Sequence, residues 1–470
     1  MHKNIILDAD SYKQSHYLQY PPGTEYIYSY VESRGGQWDR TLFFGLQMFL
    51  SAYLATAVTM ADIDEAEPLW TAHGVPFHRA GWEHIVRTHG GRLPVEIKAV
   101  PEGTVLPVRN VLATIVNTDP ACFWLTSFLE TSLLRAIWYP TTVATNSFMC
   151  KEIIRRYLDL SSDDPEGQIA FKLHDFGARG VSSRESAGIG GAAHLVNFQG
   201  TDTMSGVLAA REYYGEAMAG FSIPAAEHST ITAWGRDGEA EAYRNMLRQF
   251  GKPGALVACV SDSWDLDHAV TRIWGGTLKE AVLATGGVLV VRPDSGDPAS
   301  IVARTAEQLG AEFGHTTNAK GYRVLHPSVR IIQGDGINFG SIAGILERLT
   351  RAGWSADNVA FGMGGGLLQQ LDRDTLKFAM KCSAARVDGV WRDVWKDPVT
   401  DPGKASKRGR LALLGEAGAW RTVPAAGNEP SDRLRLVYRD GILLNRSSFA
   451  EIRARAEAGA IGAVRPGHRP

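Results

Sequence analysis

The stretch VRIIQGDGINFGSIAGILERLTR, Val329–Arg351, contains the repeating unit of the central part of the chain. Val329–Ile332 is a short apolar run suited to a buried strand, and it ends in the polar, glycine-rich cluster QGDG. Beyond it, Ile342, Ile345, Leu346 and Leu349 recur at the spacing that places apolar side chains on one helix face. The same order returns from about residue 166 to 385. Ile169–Leu173 runs into HDFGARG, Val196–Phe198 into QGTD and Phe221–Ile223 into PAAEHS. Leu256–Val260 runs into SDSWD, Val288–Val291 into RPDSG and Val359–Phe361 into GMGGG. Pro298, just past RPDSG, sits where a first helical turn tolerates a missing N–H. Alternating buried strands and helices imply a parallel sheet. This many units favour an α/β fold closed into an irregular β/α barrel, whose chemistry sits in the loops at the carboxyl ends of the strands.

The flanks read differently and predict a second α+β domain formed by the N- and C-terminal segments. Residues 1–160 mix aromatic, strand-like and helical pieces, and PVEIKAVPEGTVLPV (Pro94–Val108) reads as a β-hairpin. Residues 385–470 would complete that domain with strands at Leu434–Tyr438 and Gly441–Leu444, a helix and a polar tail. The barrel domain is then expected over 161–384.

Composition narrows the class. A formal net charge of −2, from 49 basic and 51 acidic residues, argues against a nucleic-acid binder and leaves room for a local basic pocket. The cysteines Cys122, Cys150, Cys259 and Cys382 form no CxxC pair, so neither a zinc knuckle nor a disulfide framework is expected. No stretch reaches the length of a membrane span, and MHKNIILDADSYKQSHY lacks the apolar run of a signal peptide. The expected location is cytoplasmic.

The expected strand ends collect one kind of chemistry. HDFGARG offers Phe176 as a flat surface and Arg179 as an anion ligand. RPDSG brings Arg292 and Asp294 together, one suited to phosphate and the other to a ribose hydroxyl or metal. QGDG adds Gly334 and Asp335. GMGGG offers backbone N–H groups at Gly364 and Gly365 just before a helical stretch, with Arg373 and Lys381 following. Each has a plainer reading alone: a turn for GMGGG and RPDSG, an ion pair for Arg179, a core or helix-start residue for His228. Their shared end of one barrel is what favours a phosphorylated sugar and a planar ring as ligands.

The blocks DSYKQSHYLQYPPGTEYIYSYVESR, HDFGARGVSSRESAGIGGAAHLVNFQGTDT, PAAEHSTITAWG, SDSWD, RPDSGDP, IQGDG, FGMGGGLLQ and KDPVTDPGKASKRGRL resemble the nicotinamide phosphoribosyltransferases, a type II phosphoribosyltransferase family, from about residue 5 to 455. The resemblance implies formation of nicotinamide mononucleotide and pyrophosphate from nicotinamide and phosphoribosyl pyrophosphate in NAD salvage. It implies Mg²⁺, stimulation by hydrolysed ATP through a phosphohistidine at His228, and a homodimer with shared sites. Phe176 would stack on one face of nicotinamide and Tyr12 of a second subunit on the other. Asp202 would accept a hydrogen bond from the amide. Arg179, His228 and Arg292 would line the pyrophosphate and ring-side pocket, while Asp294, Gly334 and Asp335 hold the ribose. Gly364, Gly365, Arg373 and Lys381 would take the 5′-phosphate, and Arg34, Lys396 and Lys404 would reach pyrophosphate. Asp265 is the carboxylate implied on the Mg²⁺ side. The catalytic set would be His228, Arg292 and Asp294.

Three positions depart from the family pattern: Ala178 where a tyrosine is common, Met363 in place of a small polar residue, and Ala379 in place of a serine. Nicotinate phosphoribosyltransferase is the nearest rival, and Asp202 speaks against it because a carboxylate repels the acid's own carboxylate. A non-catalytic binding or signalling protein on the same scaffold would leave the cation and carboxylate set without a purpose. An NAD-binding oxidoreductase fails for want of a GxGxxG turn after an early strand.

Overall fold

The computed structural model describes residues 4–397, 399–400, 405–416, 419–425 and 429–463. The chain divides into two compact units, one of residues 146–210 and 217–370, the other of 1–145, 211–216 and 371–470.

The first unit carries the strand-and-helix rhythm. Six parallel strands run side by side in the order Gly200–Thr201, Leu173–Asp175, Val359–Met363, Val329–Gln333, Val288–Arg292 and Leu256–Val260. Residues 221–226 close the ring between its two ends through single parallel bridges, Phe221 to Gly200 and Ala225 to Ala258. Thr201 N donates to Phe221 O at 2.9 Å and Ala258 N to Pro224 O at 3.0 Å. Pro224 has no N–H to return, which keeps this seventh segment from becoming a regular strand. The chain thus forms an irregular β/α barrel.

The helices follow the expected pattern. Phe339–Arg351 buries Ile342, Ile345, Leu346 and Leu349, and the Asn338 side chain caps it by accepting from the N–H groups of Gly340 and Ser341. Pro298 opens the helix Pro298–Phe313 behind the cap Asp297. One strand is displaced from its expected place. Val196–Phe198 continues the turn of the helix Arg184–Leu195, with Asn197 N donating to His194 O at 3.0 Å, and Phe198 stacks on His194. The strand there is Gly200–Thr201. Likewise Ile169 closes the short helix Pro165–Ile169, so the first barrel strand begins only at Leu173.

Ala258, Val290 and Ile332 form a buried cluster against which Phe176, Ile223 and Ala360 pack. These side chains are mostly small or branched, and they leave space for the Phe176 ring. The polar clusters follow the carboxyl ends of the strands.

Lys172, just before the strand Leu173–Asp175, is buried and donates to the carbonyls of Asp357 at 2.9 Å and Val359 at 3.1 Å. Burial pulls its ammonium from 10.5 down to about 7, against the attraction of Asp357. An unfolded chain keeps this proton up to pH ~10, so it binds more protons than the native state between the two values. Stability should therefore rise as pH increases from about 7 towards 10. Thermal melts across that window should show the slope in the native chain and a flatter response in Lys172→Met.

The second unit is built on a seven-stranded antiparallel sheet in the order Val390–Asp393, Phe378–Val387, Thr24–Ser33, Val111–Asn117, Val95–Ala99, Arg435–Arg439, Ile442–Leu443. It is the expected α+β body of the two terminal segments. The strand Phe378–Val387 pairs with Thr24–Ser33 along nearly its whole length, so the chain leaves the barrel unit after Gln370 rather than at 384. Pro94–Val108 is not a hairpin: Val95–Ala99 pairs with Val111–Asn117, and Val105–Pro107 pairs with Arg40–Leu42. The expected late strands stand as Arg435–Arg439 and Ile442–Leu443, followed by the helix Phe449–Ala463. Among the described residues, no helix is long and apolar enough to cross a membrane.

Candidate active site at the carboxyl ends of the barrel strands

The strand Leu173–Asp175 delivers Phe176 to the barrel mouth, where its N–H donates to Met363 O at 3.0 Å. The ring lies against Gly362, the backbone of the neighbouring strand. A Cβ at Gly362 would fall 1.9 Å from ring atom Cε2. The absence of a side chain there creates the slot for the ring. Gly334 is the next neighbour, its hypothetical Cβ 3.4 Å from Asp294 Oδ1 and 3.6 Å from the Phe176 ring. Ring, glycine and Asp294 thus stand together.

Arg292 and Asp294 form a bidentate pair, Nη2 to Oδ2 at 2.7 Å and Nε to Oδ1 at 3.1 Å, each side chain 17% exposed. The acid that organises this corner is Asp262, which follows the strand Leu256–Val260. Its Oδ1 lies 3.0 Å from His228 Nε2, and its Oδ2 accepts from Asp294 N at 3.0 Å and from Ser295 Oγ at 2.6 Å. His228 Nδ1 is 3.9 Å from Asp294 Oδ2. Asp265 does something else: its Oδ1 accepts from His268 N at 3.0 Å and caps the turn Leu266–His268. Asp262, rather than Asp265, is the carboxylate joined to His228 and the RPDSG turn.

Asp202 is exposed and accepts from the Ser222 hydroxyl, while its N–H donates to Asp175 O at 2.9 Å. Asp175 itself is fully buried beneath the site, with Oδ1 accepting from Gly177 N at 2.7 Å. Burial lifts its carboxyl to about 6, the Gly177 N–H opposing and nearby Asp202 adding to the rise. Burial also lowers the neighbouring His174, so its imidazole favours the neutral form. Arg179 is exposed in the turn Ala178–Gly180, whose Gly180 lies close to Gly365 N. Gly364 and Gly365 open the short helix Gly365–Leu368. Asp335 is exposed on the QGDG loop, its carbonyl held by Gln333 Nε2 at 3.0 Å.

The remaining expected contacts belong to the sheet unit. Lys381 sits opposite Tyr30 in the sheet, and burial lowers its ammonium, with Arg34, Lys13 and Lys396 adding positive charge against the attraction of Glu130. Arg34, Lys381 and Lys396 thus belong to one cationic group. Arg34 Nε also donates to Glu32 Oε1 at 3.0 Å. Arg373 is exposed and paired with Asp374 at 3.0 Å. Tyr12 is 57% exposed, set edge-on to His16. Lys404 lies outside the described residues.

Asp262, Gly362 and Asp175 are the residues that sequence reasoning passed over, although each lies inside a block it had singled out. An Asp two residues past a strand was the available signal for Asp262, and an Asp three residues before a His reads naturally as a cap for Asp265.

Comparison with known proteins shows the family to which the chain belongs. Residues 171–442 match the model of the nicotinate phosphoribosyltransferase (NAPRTase) family, and residues 4–97 that of the nicotinamide phosphoribosyltransferase N-terminal domain. A nicotinamide phosphoribosyltransferase from Xanthomonas campestris pv. campestris (strain 8004) is 57% identical over 97% of this chain and 98% of its own. One from Acinetobacter baylyi is 33% identical over 96% and 97%. Among solved structures, the nicotinate-nucleotide pyrophosphorylase from Pyrococcus furiosus superposes with a TM-score of 0.62 at 15% identity, covering 98% of this chain and 97% of its own. Human nicotinic acid phosphoribosyltransferase gives 0.56 at 18% identity, covering 98% and 94%, and both likenesses speak for the fold. The chain belongs to the nicotinate phosphoribosyltransferase family and, within it, to the nicotinamide phosphoribosyltransferases.

Proposed function

We propose that the barrel mouth around Phe176, Arg292 and Asp294 is where this chain performs its family's reaction, transfer of phosphoribose from phosphoribosyl pyrophosphate to nicotinamide. The lone pair of the pyridine nitrogen attacks C1 of the ribose. The C1–O bond breaks, its electron pair leaves with pyrophosphate, and nicotinamide mononucleotide remains. The attacking nitrogen has no proton to lose, so no general base is needed. What the site must supply is a surface for the ring, cations for the leaving group and negative charge near a ribose that becomes cationic. The observation that carries this reading is the Phe176 ring lying against Gly362 and Gly334 next to the Arg292–Asp294 pair.

Asp294 and Gly334 would face the ribose, joined by Asp335. Arg179 and Arg292 would meet pyrophosphate, and Gly364 and Gly365 the 5′-phosphate through their N–H groups. A homodimer would bring Tyr12 of one subunit to the second face of the ring bound by the other. Mg²⁺, bound with the substrate's pyrophosphate, would neutralise leaving-group charge. The acids fit that use only loosely: Asp262 and Asp294 already have both oxygens engaged, while Asp265 uses one as a cap. Such a site suits an ion held largely by the substrate's phosphates.

ATP would act through His228. Asp262 beside Nε2 favours a proton on that nitrogen, which leaves the Nδ1 lone pair to attack the γ-phosphorus of ATP with ADP leaving. Hydrolysis of the resulting phosphohistidine restores the imidazole.

The test is product detection with nicotinamide and nicotinate in parallel, each with phosphoribosyl pyrophosphate, Mg²⁺ and ATP. Nicotinamide mononucleotide and pyrophosphate are the expected products, and their absence would defeat the reading. Asp202 would choose the amide, since its carboxylate accepts from an NH₂ and repels a second carboxylate. Asp202→Ser should move the ratio of kcat/KM values towards nicotinate by ~10- to 100-fold. An unchanged ratio would remove Asp202 from substrate choice.

A further inference from the structure

Away from the barrel, in the sheet unit, four side chains of three metal-binding types converge. His84 and His89 belong to the last turns of the helix Arg79–His89. Asp119 and Cys122 belong to the turn that begins Asp119-Pro120. Their donor atoms all lie within 4.8 Å of one another. The Nε2 atoms of His84 and His89 each stand 2.7 Å from the same oxygen, Asp119 Oδ2. Asp119 Oδ1 is occupied in accepting from Ala121 N at 2.9 Å, which fixes the carboxylate's orientation. The Cys122 thiol closes the group from the buried side, while the histidines and Asp119 are partly exposed, with side chains 35%, 24% and 18% accessible. An ion therefore has a route in from the solvent side, with the buried thiol at its inner end.

We propose that His84, His89, Asp119 and Cys122 form a structural site for a borderline divalent transition ion, Zn²⁺ by preference, separate from the chemistry of the barrel. Two imidazoles, one thiolate and one carboxylate make a full tetrahedral shell with no position left for water, which marks a structural rather than a catalytic site. Nitrogen and sulfur donors disfavour Mg²⁺, which takes oxygen ligands, so the ion of phosphoribosyl transfer does not compete here. Bonds of ~2.0–2.3 Å set neighbouring donors roughly 3.3–3.6 Å apart in a tetrahedron. The 2.7 Å contacts need to open by less than about 1 Å, within reach of side-chain rotation alone. A further partner is in place: His84 Nδ1 lies 3.3 Å from Thr88 Oγ1, which can accept a hydrogen bond from Nδ1–H while Nε2 turns to the metal. Binding of the ion releases the Cys122 thiol proton to solvent, since the thiolate is the ligand form. Without an ion the two imidazoles meet the same carboxylate oxygen. With one, the group ties the end of a helix to a turn 30 residues further along the chain.

The test uses the full chain, stripped with a chelator and titrated with Co²⁺ and then Zn²⁺ in excess Mg²⁺. One Co²⁺ per chain should bind and give the thiolate-to-cobalt absorption of the near ultraviolet, and Cys122→Ser should lose that band. Zn²⁺ should raise the melting temperature of the native chain by a few degrees but not that of His84→Ala or His89→Ala. The proposal is overturned by a wild-type titration with no stoichiometric binding. It is equally overturned by a cobalt band that survives in Cys122→Ser, or by Zn²⁺ stabilisation that survives both histidine variants. The wild-type cobalt spectrum decides the matter even if a variant folds poorly.

Discussion

Asp262→Ala should lower kcat/KM by at least about a hundredfold and abolish the proposed stimulation by ATP. Its side chain is only 5% exposed and holds three partners at once: His228 Nε2, Asp294 N and Ser295 Oγ. Hydrogen bonds to a charged group are worth ~1.5–3 kcal/mol each, and two such losses already correspond to a hundredfold or more. The substitution frees the RPDSG turn, so Asp294 and the Arg292 bound to it lose their fixed position beside Phe176. It also frees His228 to rotate, and with it the preference for a proton on Nε2. Asp262 is therefore a positioning residue, and the informative readout is the ATP dependence rather than the rate alone. Asp262→Asn should fall between the two. Its amide keeps one acceptor for either His228 or the Asp294–Ser295 pair, and its NH₂ meets the other side with the wrong polarity. Steady-state kinetics with and without ATP, set beside Asp265→Ala, would decide. A loss in Asp262→Ala no larger than that of the helix-cap variant, or intact ATP stimulation, would remove Asp262 from this role.

The contrast between these two aspartates shows what the sequence made legible and what it did not. The strand-and-helix rhythm was legible because each unit buries one apolar run and one helix face, a pattern set by local periodicity. The helix Phe339–Arg351 is the clearest instance, with its four apolar positions buried as expected. Where the run was short, tertiary packing decided instead. Val196–Phe198 winds on as a helical turn because Phe198 finds His194 one turn back. Residues 221–226 bridge two strands yet lack strand regularity at Pro224. Val95–Ala99 and Val105–Pro107 looked like hairpin partners, but each found a better-matched strand elsewhere. Strand partners are chosen by the whole sheet, which short-range pattern does not encode. The same limit applies to the site. The blocks that hold it were visible, but SDSWD presents two acids, and only the geometry shows that the one nearest the strand faces His228. The cluster of His84, His89, Asp119 and Cys122 was harder still. Its halves lie 30 residues apart in no spaced motif, and only the packing of a helix end on a turn joins them.

Gly362→Ala should raise KM for nicotinamide by ~10- to 100-fold with a smaller change in kcat, the range that stacking on an aromatic face commands. Gly362 lies inside the strand Val359–Met363, where glycine weakens a sheet unless another group needs the space. Here the group is the Phe176 ring. A methyl at this position would stand 1.9 Å from Cε2, 2.2 Å from Cδ2 and 2.7 Å from Cζ, closer than any real contact. The ring cannot yield at its tip, because three of its atoms meet the methyl and its other neighbours are Ala258, Val290 and Ile332 of the barrel core. It must swing out of its slot or push the strand away, and crowding of this kind costs ~1–3 kcal/mol of stability as well. Gly334→Ala gives the comparison. Its methyl would meet the same ring at 3.6 Å, an ordinary contact, so the effect on nicotinamide KM should be far smaller. The decisive measurement is a double-mutant cycle on KM with Phe176→Ala. If Gly362 acts by making room for the ring, adding Gly362→Ala to Phe176→Ala should change little, because the side chain it displaces is already gone. Two losses that simply add would mean that the strand backbone at Gly362 serves the substrate directly, and the slot argument would fail.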